Sequence, residues 1–476
     1  MTNTSKPSLT ITPRCKRDII CVINVKTGLT IQEFQYSTLE EEIQKIAETL
    51  NTSNCNEILI LLENSPLSND AWKRIIDKIT IGESYFFRDD AQFNFLRHYW
   101  IPHLIARKRQ NDDKNIRIWS AGCSAGQEIY SIAILLAQQI PDIREWNISL
   151  IGTDINWAHL HQAQQAIYSE WSLRDTPEDY RLLYFEQNKP GQYHLKEQYR
   201  SSVNFFFLNL ADDQFPTLFN STVSVDLILC RNVFIYFDIT TTTQVMEKFS
   251  QALNPDGCLL LGSSDLVEQN CAQLELQQWQ NTNYWERKVT EQQKHPPIED
   301  VSAYLTDTGN TAIIELTKKK QWGQLVELCT KLETQHDLSL DLLQHKATAL
   351  ANLGKLNQAN ELCQIILEKD PLNHHIYLLY SLVLLEQNHK IQAEIALRKT
   401  ISLRRDFFEA YYHLGNLKLL DDEPQEALSL LRHCVKIMEQ MPQERRLHNA
   451  ADLDIKRFSG IVKQEIKIMT DQYNIN

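Results

Sequence analysis

The C-terminal third of the chain repeats itself every 34 residues. When segments that start at Ser339, His374 and Phe408 are laid over one another, alanines coincide, and so do other small residues and bulky ones. Small residues at fixed places let paired helices approach closely, so the pattern predicts a stack of helix pairs. The coinciding residues are the alanines Ala359, Ala393 and Ala427, the small residues Ala347, Ser381 and Gly415, and the bulky residues Leu343, Tyr377 and Tyr411.

A helix-turn-helix period of 34 residues is typical of tetratricopeptide repeats. We predict that residues 306–443 form a repeat domain, with a degenerate unit around residues 322–332 and a capping helix in residues 444–476. Such arrays present a concave surface that suits peptides and helices, so we expect this domain to bind a protein partner. The alternative is an irregular helical bundle, in which the matching alanines would be accidental.

Residues 115–262 show a different pattern, in which short apolar runs alternate with helix-length segments. This alternation predicts an α/β fold with a mostly parallel, doubly wound sheet, whose ligands bind at the carboxyl ends of the strands. Residues 1–80 contain one extended apolar stretch at residues 19–25 and then helical patterning, which predicts a mostly helical N-terminal domain. Residues 289–305 are polar and are typical of a linker. The predicted strands are Ile116–Ser120, Ile148–Thr153, Val203–Leu208, Val225–Cys230 and Cys258–Gly262.

The charge balance argues against a nucleic-acid partner. Lys and Arg number 48 and Asp and Glu number 61, so the net charge is −13, whereas a nucleic-acid-binding protein should carry a basic footprint. No apolar run approaches the roughly 18 residues that cross a bilayer, and the N-terminus lacks an apolar stretch followed by a cleavage site. We therefore expect a cytoplasmic protein without membrane insertion. The ten cysteines are scattered, which predicts that most of them are reduced core residues and that they form neither a disulfide framework nor a metal site.

Three features at the ends of predicted strands concern ligand binding. Gly122 and Gly126 straddle the turn after the first strand, where the backbone can approach a ligand closely, although many such turns hold none. Asp154 ends the second strand, where an acidic residue is well placed to bind both hydroxyls of a ribose or, alternatively, to cap a buried helix. Arg231-Asn232 ends a buried strand, which is costly unless a ligand or a core carboxylate satisfies it. The chain has no GxxxxGKS phosphate loop, which favours a nucleoside ligand without a phosphate tail.

Together with two further stretches, these features form five ordered motifs: ESYFFRD, RIWSAGCSAGQEIYS, IGTDIN, VDLILCRNVFIYFD and NPDGCLLLGSSD. In these motifs the chain resembles the CheR-type chemoreceptor glutamate methyltransferases, which use S-adenosylmethionine. The resemblance runs from about residue 15 to residue 288. It implies a helical N-terminal domain followed by a methyltransferase domain, residues 81–288, with a small inserted β-subdomain in which Tyr193–Phe207 would fall.

The resemblance also implies roles for individual residues. Ser84 and Arg88 would contact the cofactor near its methionine end. Glu128 and Asp154 would hold polar groups of the nucleoside. The catalytic residues would be Arg88 and Tyr236, because Tyr236 should approach the transferable methyl group together with Arg88. The rest of the cofactor pocket would be lined by Gly122, Asn209, Leu210, Arg231 and Asn232.

The chain departs from the family's pattern at four places. Gly82 stands where asparagine is frequent, which would remove a side-chain contact with the cofactor. Ser84 replaces a common threonine and keeps the hydroxyl, and Gln127 stands where glutamate is common. Residues 262–265 lack a frequent histidine and glutamate.

We therefore expect methyl transfer from S-adenosylmethionine to glutamate side chains of chemoreceptor-type signalling proteins, with S-adenosylhomocysteine as product. Glutamate is already anionic at pH 7, so the reaction requires no general base. The expected partners are a chemoreceptor cytoplasmic domain as substrate and an unidentified protein bound by the repeats, with recruitment to membrane receptor arrays as one role for the repeats. The alternatives are a methyltransferase that acts on another protein or a small molecule, and a cofactor-binding scaffold that does not catalyse. Against the scaffold stand the retained residues Arg88, Asp154, Arg231, Asn232 and Tyr236.

Overall fold

The structure is a computed structural model that describes residues 9, 11–265, 267, 273–287, 313, 315–333, 339–445, 447 and 454–473. The chain divides into two compact units. Residues 1–214 with 225–288 form the first unit, and residues 215–224 with 289–476 form the second. The segment 215–224 thus belongs to the second unit, although it lies within the range predicted for the methyltransferase domain. The predicted linker, residues 289–305, lies outside the described residues.

Helices form the N-terminal part of the first unit. They are α1 (Pro13–Thr27), α2 (Tyr36–Leu50), α3 (Cys55–Asn64) and α4 (Asp70–Ile79). In α1 every fourth residue from Cys15 to Thr27 is buried, because residues four apart share one face of a helix. The apolar stretch at residues 19–25 is therefore the interior of a helix, and the helical N-terminal region is confirmed.

A disulfide bond joins Cys15 in α1 to Cys55 at the start of α3, with an S–S distance of 2.01 Å. This pair is an exception to the expectation that most of the cysteines are reduced. The fold brings the two Cα atoms to 6.1 Å although the residues are 40 positions apart, and scattered spacing does not indicate which cysteines meet. Buried free thiols, as expected, are those of Cys123, Cys230, Cys258, Cys329, Cys363 and Cys434.

The described residues of the first unit form two sheets. Their strands are β1 (Asn115–Ala121), β2 (Asn147–Asp154), β3 (Ile167–Ser169), β4 (Phe185–Lys189), β5 (Gln192–Leu195), β6 (Val203–Phe207), β7 (Val225–Cys230), β8 (Leu253–Leu261), β9 (Leu274–Trp279) and β10 (Thr282–Arg287). The large sheet has the order β6-β2-β1-β7-β8-β10-β9. Its neighbours pair in parallel, except that β10 is antiparallel to both β8 and β9. The predicted doubly wound, mostly parallel sheet is confirmed, and each of the predicted strands is present.

The small sheet has the order β3-β5-β4 and forms the inserted β-subdomain. The prediction that the insert contains Tyr193–Phe207 was wrong for its last part. Val203 pairs in parallel with Leu150 of β2, so β6 is the edge strand of the large sheet. The burial of Val203 and Phe207 against that sheet is the physical reason.

The remaining helices of the first unit follow or connect the strands. They are α5 (Asp90–Phe95), α6 (Ile101–Gln110), α7 (Gln127–Gln139), α8 (Trp157–Gln165), α9 (Glu178–Tyr184), α10 (Glu197–Arg200) and α11 (Ile239–Ala252). In the sheet, Ala121 pairs with Thr153, and Ser120 pairs with Leu229. Because these strands are parallel and in register, the segments that follow β1, β2 and β7 leave the sheet at the same edge.

Helices also dominate the second unit. They are α12 (Trp322–Glu333), α13 (Leu340–Asn352), α14 (Leu356–Lys369), α15 (His374–Glu386), α16 (Lys390–Leu403), α17 (Phe408–Leu420), α18 (Pro424–Met438) and α19 (Ile455–Tyr473). The pairs α13/α14, α15/α16 and α17/α18 recur at the repeat period, which confirms the predicted repeats. A Cβ at Gly415 would lie 2.9 Å from Leu431 Cγ, so the small residue permits α17 and α18 to pack closely. Among the described helices, none has the length and apolar character needed to cross a membrane.

Candidate active site

The turns that follow β1 and β2 meet at the Asp154 carboxylate. Its Oδ2 accepts a hydrogen bond from the Ser124 backbone N–H, and its Oδ1 accepts one from the Asn156 backbone N–H, both at 2.8 Å. Asn156 caps α8 with its own side chain, so the alternative role of Asp154 as the helix cap does not apply. Each carboxylate oxygen has a second lone pair, which leaves Asp154 able to accept the hydroxyls of a ribose.

The Asp154 carboxylate is buried, with the residue 9% exposed. This burial raises the pKa of the Asp154 carboxyl, against the opposing influence of His159 and of the surrounding backbone N–H groups. Each hydrogen-bond donor that reaches the Asp154 carboxylate therefore stabilises its ionised form.

Arg231, directly after β7, forms a buried ion pair with Glu128 of α7. Its Nη1 lies 3.1 Å from Glu128 Oε2, and the two side chains are 5% and 11% exposed. The other oxygen, Glu128 Oε1, accepts a hydrogen bond from Ser120 Oγ at 2.7 Å. The Arg231 Nη2 donates to the carbonyl oxygen of Arg88 at 2.6 Å. The charge of Arg231 is thus balanced by a core carboxylate, which is one of the two partners, a ligand or a carboxylate, that the sequence left open.

The guanidinium of Arg231 has an unsatisfied donor at its Nε atom. Its Nε is buried and has no hydrogen-bond partner within the part of the chain that the structure describes. Buried donors in folded proteins are almost always paired, so an unpaired one next to a candidate pocket calls for a ligand or an ordered water.

The loop that precedes α5 lies against this edge of the sheet. The Gly82 carbonyl oxygen accepts a hydrogen bond from Ser124 Oγ at 3.2 Å, and Arg88 Nη1 donates to the Glu83 carbonyl oxygen at 2.8 Å. Ser84 is half-buried in the same loop. Ser84 and Arg88 are therefore held close to the turns that carry Asp154 and Arg231.

Tyr236 lies in the short turn Phe234–Tyr236 and is half-buried. Burial raises the pKa of its hydroxyl, while a hydrogen bond with the Ile81 backbone and the charge of Arg88 act to lower it. Tyr236 therefore lies close enough to Arg88 for the guanidinium charge to act on its hydroxyl. Because the pKa of Tyr236 is raised from the ordinary value of a tyrosine, its hydroxyl stays protonated and can donate a hydrogen bond.

Asp265 holds the turn that contains Asn232. Its Oδ2 accepts hydrogen bonds from the backbone N–H groups of Asn232 and Gly262, at 2.6 and 2.8 Å. Its Oδ1 accepts one from the Ile235 N–H at 3.3 Å. Asn232 has a φ of 59°, a left-handed conformation that asparagine tolerates better than most residues. Residues 262–265, where the chain departs from the family's pattern, thus supply an anchor for the Asn232 turn.

Asn209 and Leu210 are buried after β6, but the side chain of Asn209 is engaged elsewhere. Its Nδ2 donates to the Lys26 carbonyl oxygen in α1 at 2.9 Å, and its Oδ1 accepts from the Ala211 N–H at 3.2 Å. The Leu210 carbonyl oxygen accepts from Lys248 Nζ of α11 at 3.3 Å. The structure therefore joins these two residues to α1 and α11, not to the network around Glu128, Asp154 and Arg231.

Known proteins match this part of the chain. Residues 82–283 match the family described as "CheR methyltransferase, SAM binding domain". A chemotaxis protein methyltransferase of Borreliella burgdorferi is 32% identical over 253 residues, which cover 53% of this chain and 88% of that relative. Chemotaxis protein methyltransferase 2 of Vibrio cholerae is 33% identical over 198 residues, which cover 42% of this chain and 67% of the relative. The chain belongs to the CheR methyltransferase family. It is an S-adenosylmethionine-dependent methyltransferase.

Solved structures that resemble the chain include MamA from Desulfovibrio magneticus, at 15% identity, covering 27% of this chain and 73% of that one, with a TM-score of 0.26. YrrB, described as a TPR protein with an unusual peptide-binding site, is 16% identical over 29% of this chain and 68% of its own, with a TM-score of 0.26. These likenesses are too weak to carry an argument. The repeat assignment depends on the helix pairs and on the sequence period of this CheR-family chain.

The sheet edge of this CheR-family chain fits a nucleoside cofactor. Asp154 offers free lone pairs, Arg231 offers an unsatisfied Nε, and the backbone at Gly122 and Gly126 is left-handed, with φ values of 77° and 84°. These features are a hydroxyl acceptor, a charged donor and a turn flanked by two residues without side chains, and they lie in segments that leave the sheet at one edge. They suit S-adenosylmethionine, whose ribose hydroxyls and methionine carboxylate require such partners.

His159 accounts for the glycine at position 82. A Cβ at Gly82 would lie 2.3 Å from His159 Nε2, so the imidazole occupies the space that a larger residue would need. Sequence reasoning missed His159, Ser124 and Asp265. The position of His159 one turn into the helix after Asp154 is a usable signal, whereas the contact of Asp265 with the Asn232 turn is not visible without the fold.

We predict that Gly122→Ala destabilises the first unit. The added Cβ would lie 2.5 Å from Val233 Cγ2, and alanine would adopt the φ of 77°. We expect a loss of about 3 kcal/mol, of which the left-handed backbone accounts for about 1 kcal/mol. The measurement is the thermal unfolding transition in scanning calorimetry.

Gly191→Ala is the matched control for this substitution, because Gly191 has a φ of 72° and nothing within 4 Å of its ideal Cβ. It should show the backbone cost alone. Equal losses in the two variants would contradict the proposed collision with Val233.

Proposed function

We propose that this chain transfers the methyl group of S-adenosylmethionine to glutamate side-chain carboxylates of chemoreceptor-type signalling proteins, in the cytoplasm. The observation that carries the proposal is the buried Asp154 carboxylate at the carboxyl end of β2, held by the backbone of the glycine-flanked turn after β1. S-adenosylmethionine supplies an electrophilic methyl group and would leave as S-adenosylhomocysteine. The family relatives named chemotaxis protein methyltransferases support the choice of a chemosensory substrate.

Different residues of the chain would bind different parts of the cofactor. Asp154 accepts the ribose hydroxyls. Arg231, fixed by Glu128, presents its free Nε to an acceptor on the cofactor, and the backbone at Gly122 lets the cofactor approach the sheet edge. Ser84 and the loop after β6, which contains Asn209 and Leu210, would complete the pocket.

The reacting carboxylate requires orientation and not activation. A glutamate side chain has an ordinary pKa near 4.3 and is ionised at pH 7, so no residue has to remove a proton. Arg88 would orient either this carboxylate or that of the cofactor, and the protonated Tyr236 hydroxyl would steady the reacting groups by donating a hydrogen bond. Positioning in a partly desolvated site can supply several kcal/mol of rate enhancement.

We predict that Asp154→Asn weakens S-adenosylmethionine binding by roughly 10- to 100-fold, since hydrogen bonds to a charged group contribute about 1.5–3 kcal/mol. Isothermal titration with S-adenosylmethionine measures this on the full chain. Asp70→Asn, at a side chain 88% exposed in α4, is the control and should bind as the wild type does. Equal binding by Asp154→Asn and the wild type would contradict the role of Asp154.

The substrate assignment has its own test. Methyl-labelled S-adenosylmethionine is incubated with a membrane fraction rich in chemoreceptors, and the product is treated with mild base. Carboxyl methyl esters release volatile methanol under these conditions. This release should fall in the variants Arg88→Ala and Tyr236→Phe, and the kcat/KM of methyl transfer should fall with it. Base-stable label would indicate a different acceptor atom. Cofactor binding without transfer to receptors or to other candidate substrates would indicate a non-catalytic scaffold.

A further inference from the structure

The segment 215–224 leaves the first unit and joins the second. The chain belongs to the first unit up to Gln214 and again from Val225, the first residue of β7. The ten residues between them, FPTLFNSTVS, carry no charged side chain. A loop between two strands of the methyltransferase sheet is therefore a structural part of the repeat unit.

Two hydrogen bonds join the segment to equivalent positions in successive repeats. The Leu218 N–H donates to Asn352 Oδ1 at 3.2 Å, and Ser221 Oγ donates to Glu386 Oε1 at 2.7 Å. Asn352 and Glu386 are the last residues of α13 and α15, and they are separated by one repeat period of 34 residues. The segment thus follows the spacing of the repeats.

Apolar contacts add to these hydrogen bonds. Leu218 and Val223 are buried in the core cluster that is formed by the first two helix pairs and α17. The ring of Phe219 stacks on Tyr412 of α17, with centroids 5.8 Å apart, and contacts Phe458 of α19 at 5.5 Å. The aromatic residue is therefore placed as an anchor between two helices, as in peptide-binding surfaces.

The array also makes room for the end of the segment. Gly354, in the turn after α13, has a φ of 71°, and a Cβ there would lie 1.3 Å from Ser224 Oγ. Only a residue without a side chain permits Ser224 at this position. Within the segment, Thr217 Oγ donates to Asn220 Oδ1 at 2.8 Å, and the Thr217 N–H donates to Thr222 Oγ at 3.1 Å. The segment thus has an internally hydrogen-bonded shape that fits the array.

We propose that the face formed by α13, α15, α17 and α19 is a peptide-binding surface, and that residues 215–224 are its in-chain ligand. The surface selects an uncharged segment with an aromatic anchor that follows an aliphatic residue and is flanked by hydroxyl and amide side chains. A tethered ligand acts at a high effective concentration, so a second peptide of the same chemistry binds the wild type more weakly than a chain in which the in-chain segment is weakened.

The test uses the full chain and a fluorescent peptide with the sequence of residues 213–224, followed by fluorescence anisotropy. Phe219→Ser removes the anchor from the in-chain segment and leaves the surface intact. We expect this variant to bind the peptide about tenfold more tightly than the wild type, since the internal competitor is weaker. A peptide that carries serine in place of its own anchor phenylalanine should bind neither protein.

Phe34→Ser is the matched control, because Phe34 is 69% exposed and lies in the first unit. It should bind the peptide as the wild type does. Hydrogen exchange keeps the test decisive: amides of residues 215–224 should be protected in the wild type and should exchange faster in Phe219→Ser. Unprotected amides in the wild type, or equal peptide affinities in the wild type and Phe219→Ser, would overturn the proposal.

Discussion

Glu128→Gln is expected to lower the free energy of unfolding of the first unit by roughly 3–5 kcal/mol, because it leaves the buried Arg231 guanidinium without its counter-charge. The two side chains are 11% and 5% exposed, so water cannot replace the lost carboxylate. The Arg88 carbonyl oxygen remains as a partner of Arg231, but a neutral acceptor does not balance the charge. Calorimetric unfolding of the full chain measures the loss.

The double variant Glu128→Gln with Arg231→Met separates the charge from the packing. Replacing both members of a buried ion pair often leaves the free energy of unfolding unchanged. We therefore expect the double variant to recover most of the stability that Glu128→Gln loses, while its cofactor binding is weak. Glu145→Gln is the control, because Glu145 lies in the same unit and pairs with Lys114 at a surface where the two side chains are 65% and 40% exposed. Such a pair contributes less than about 1 kcal/mol. A Glu128→Gln loss as small as that of Glu145→Gln would show that the ion pair is not structurally important.

Glu465→Gln is expected to remove a pH dependence from the stability of the repeat unit. Burial raises the pKa of Glu465 from 4.5 to about 8, although Tyr412 donates a hydrogen bond to its Oε1 at 3.4 Å. Its Oε2 is buried without a hydrogen-bond partner in the described part of the chain. The folded chain therefore keeps a proton between pH 4.5 and 8 that the unfolded chain loses.

The sign follows from this difference in bound protons. As pH rises from 4.5 towards 8, the contribution of Glu465 to stability falls by about 1.4 kcal/mol per pH unit, to a cost on the order of 5 kcal/mol above pH 8. Burial lowers the pKa of neighbouring His413 to about 3, so His413 contributes the opposite slope between pH 3 and its ordinary pKa of 6.5, and the Glu465 effect is observed alone only above pH 6.5. Neighbouring Tyr412 and Cys434 have pKa values raised well above the ordinary ones and stay protonated up to pH 8.

Calorimetry of the repeat-unit transition at pH 6.5 and 8.0, above the range in which His413 contributes, measures the effect. Glu465→Gln should flatten the slope and exceed the wild type in stability at the higher pH. Glu439→Gln, in an exposed pair with Lys463, is the control and should keep the wild-type slope. An unchanged slope in Glu465→Gln would refute the assignment.

The sequence predicted those parts of the fold that depend on local patterns. The runs that end at Cys230 and near Asp154 are buried strands, and the alanines at 34-residue spacing lie in paired helices, because burial on both faces of a strand and close helix contact each leave a local signature. The stretch at residues 19–25 lacked such a signature. Its apolar residues are compatible with a strand or with one face of a helix. The structure shows a helix, in which the buried positions are four residues apart.

The candidate site was predictable where a residue follows a strand, and not where it depends on distant parts of the chain. Asp154 ends a strand, and Arg231 directly follows one. Asp265 reaches the Asn232 turn across 33 residues, and the Cys15–Cys55 bond spans 40, so neither contact has a local cause. The same holds for Asn209, whose side chain meets Lys26 across 183 residues.

The membership of residues 215–224 in the repeat unit limits how this architecture can change during evolution. A repeat array that is appended to the end of an enzyme can be exchanged for another without loss. Here an exchanged array would also have to supply equivalents of Asn352, Glu386 and Tyr412, which contact a loop encoded before β7. The loop and the array are therefore inherited as one unit of selection, and a substitution in either one restricts what the other can accept.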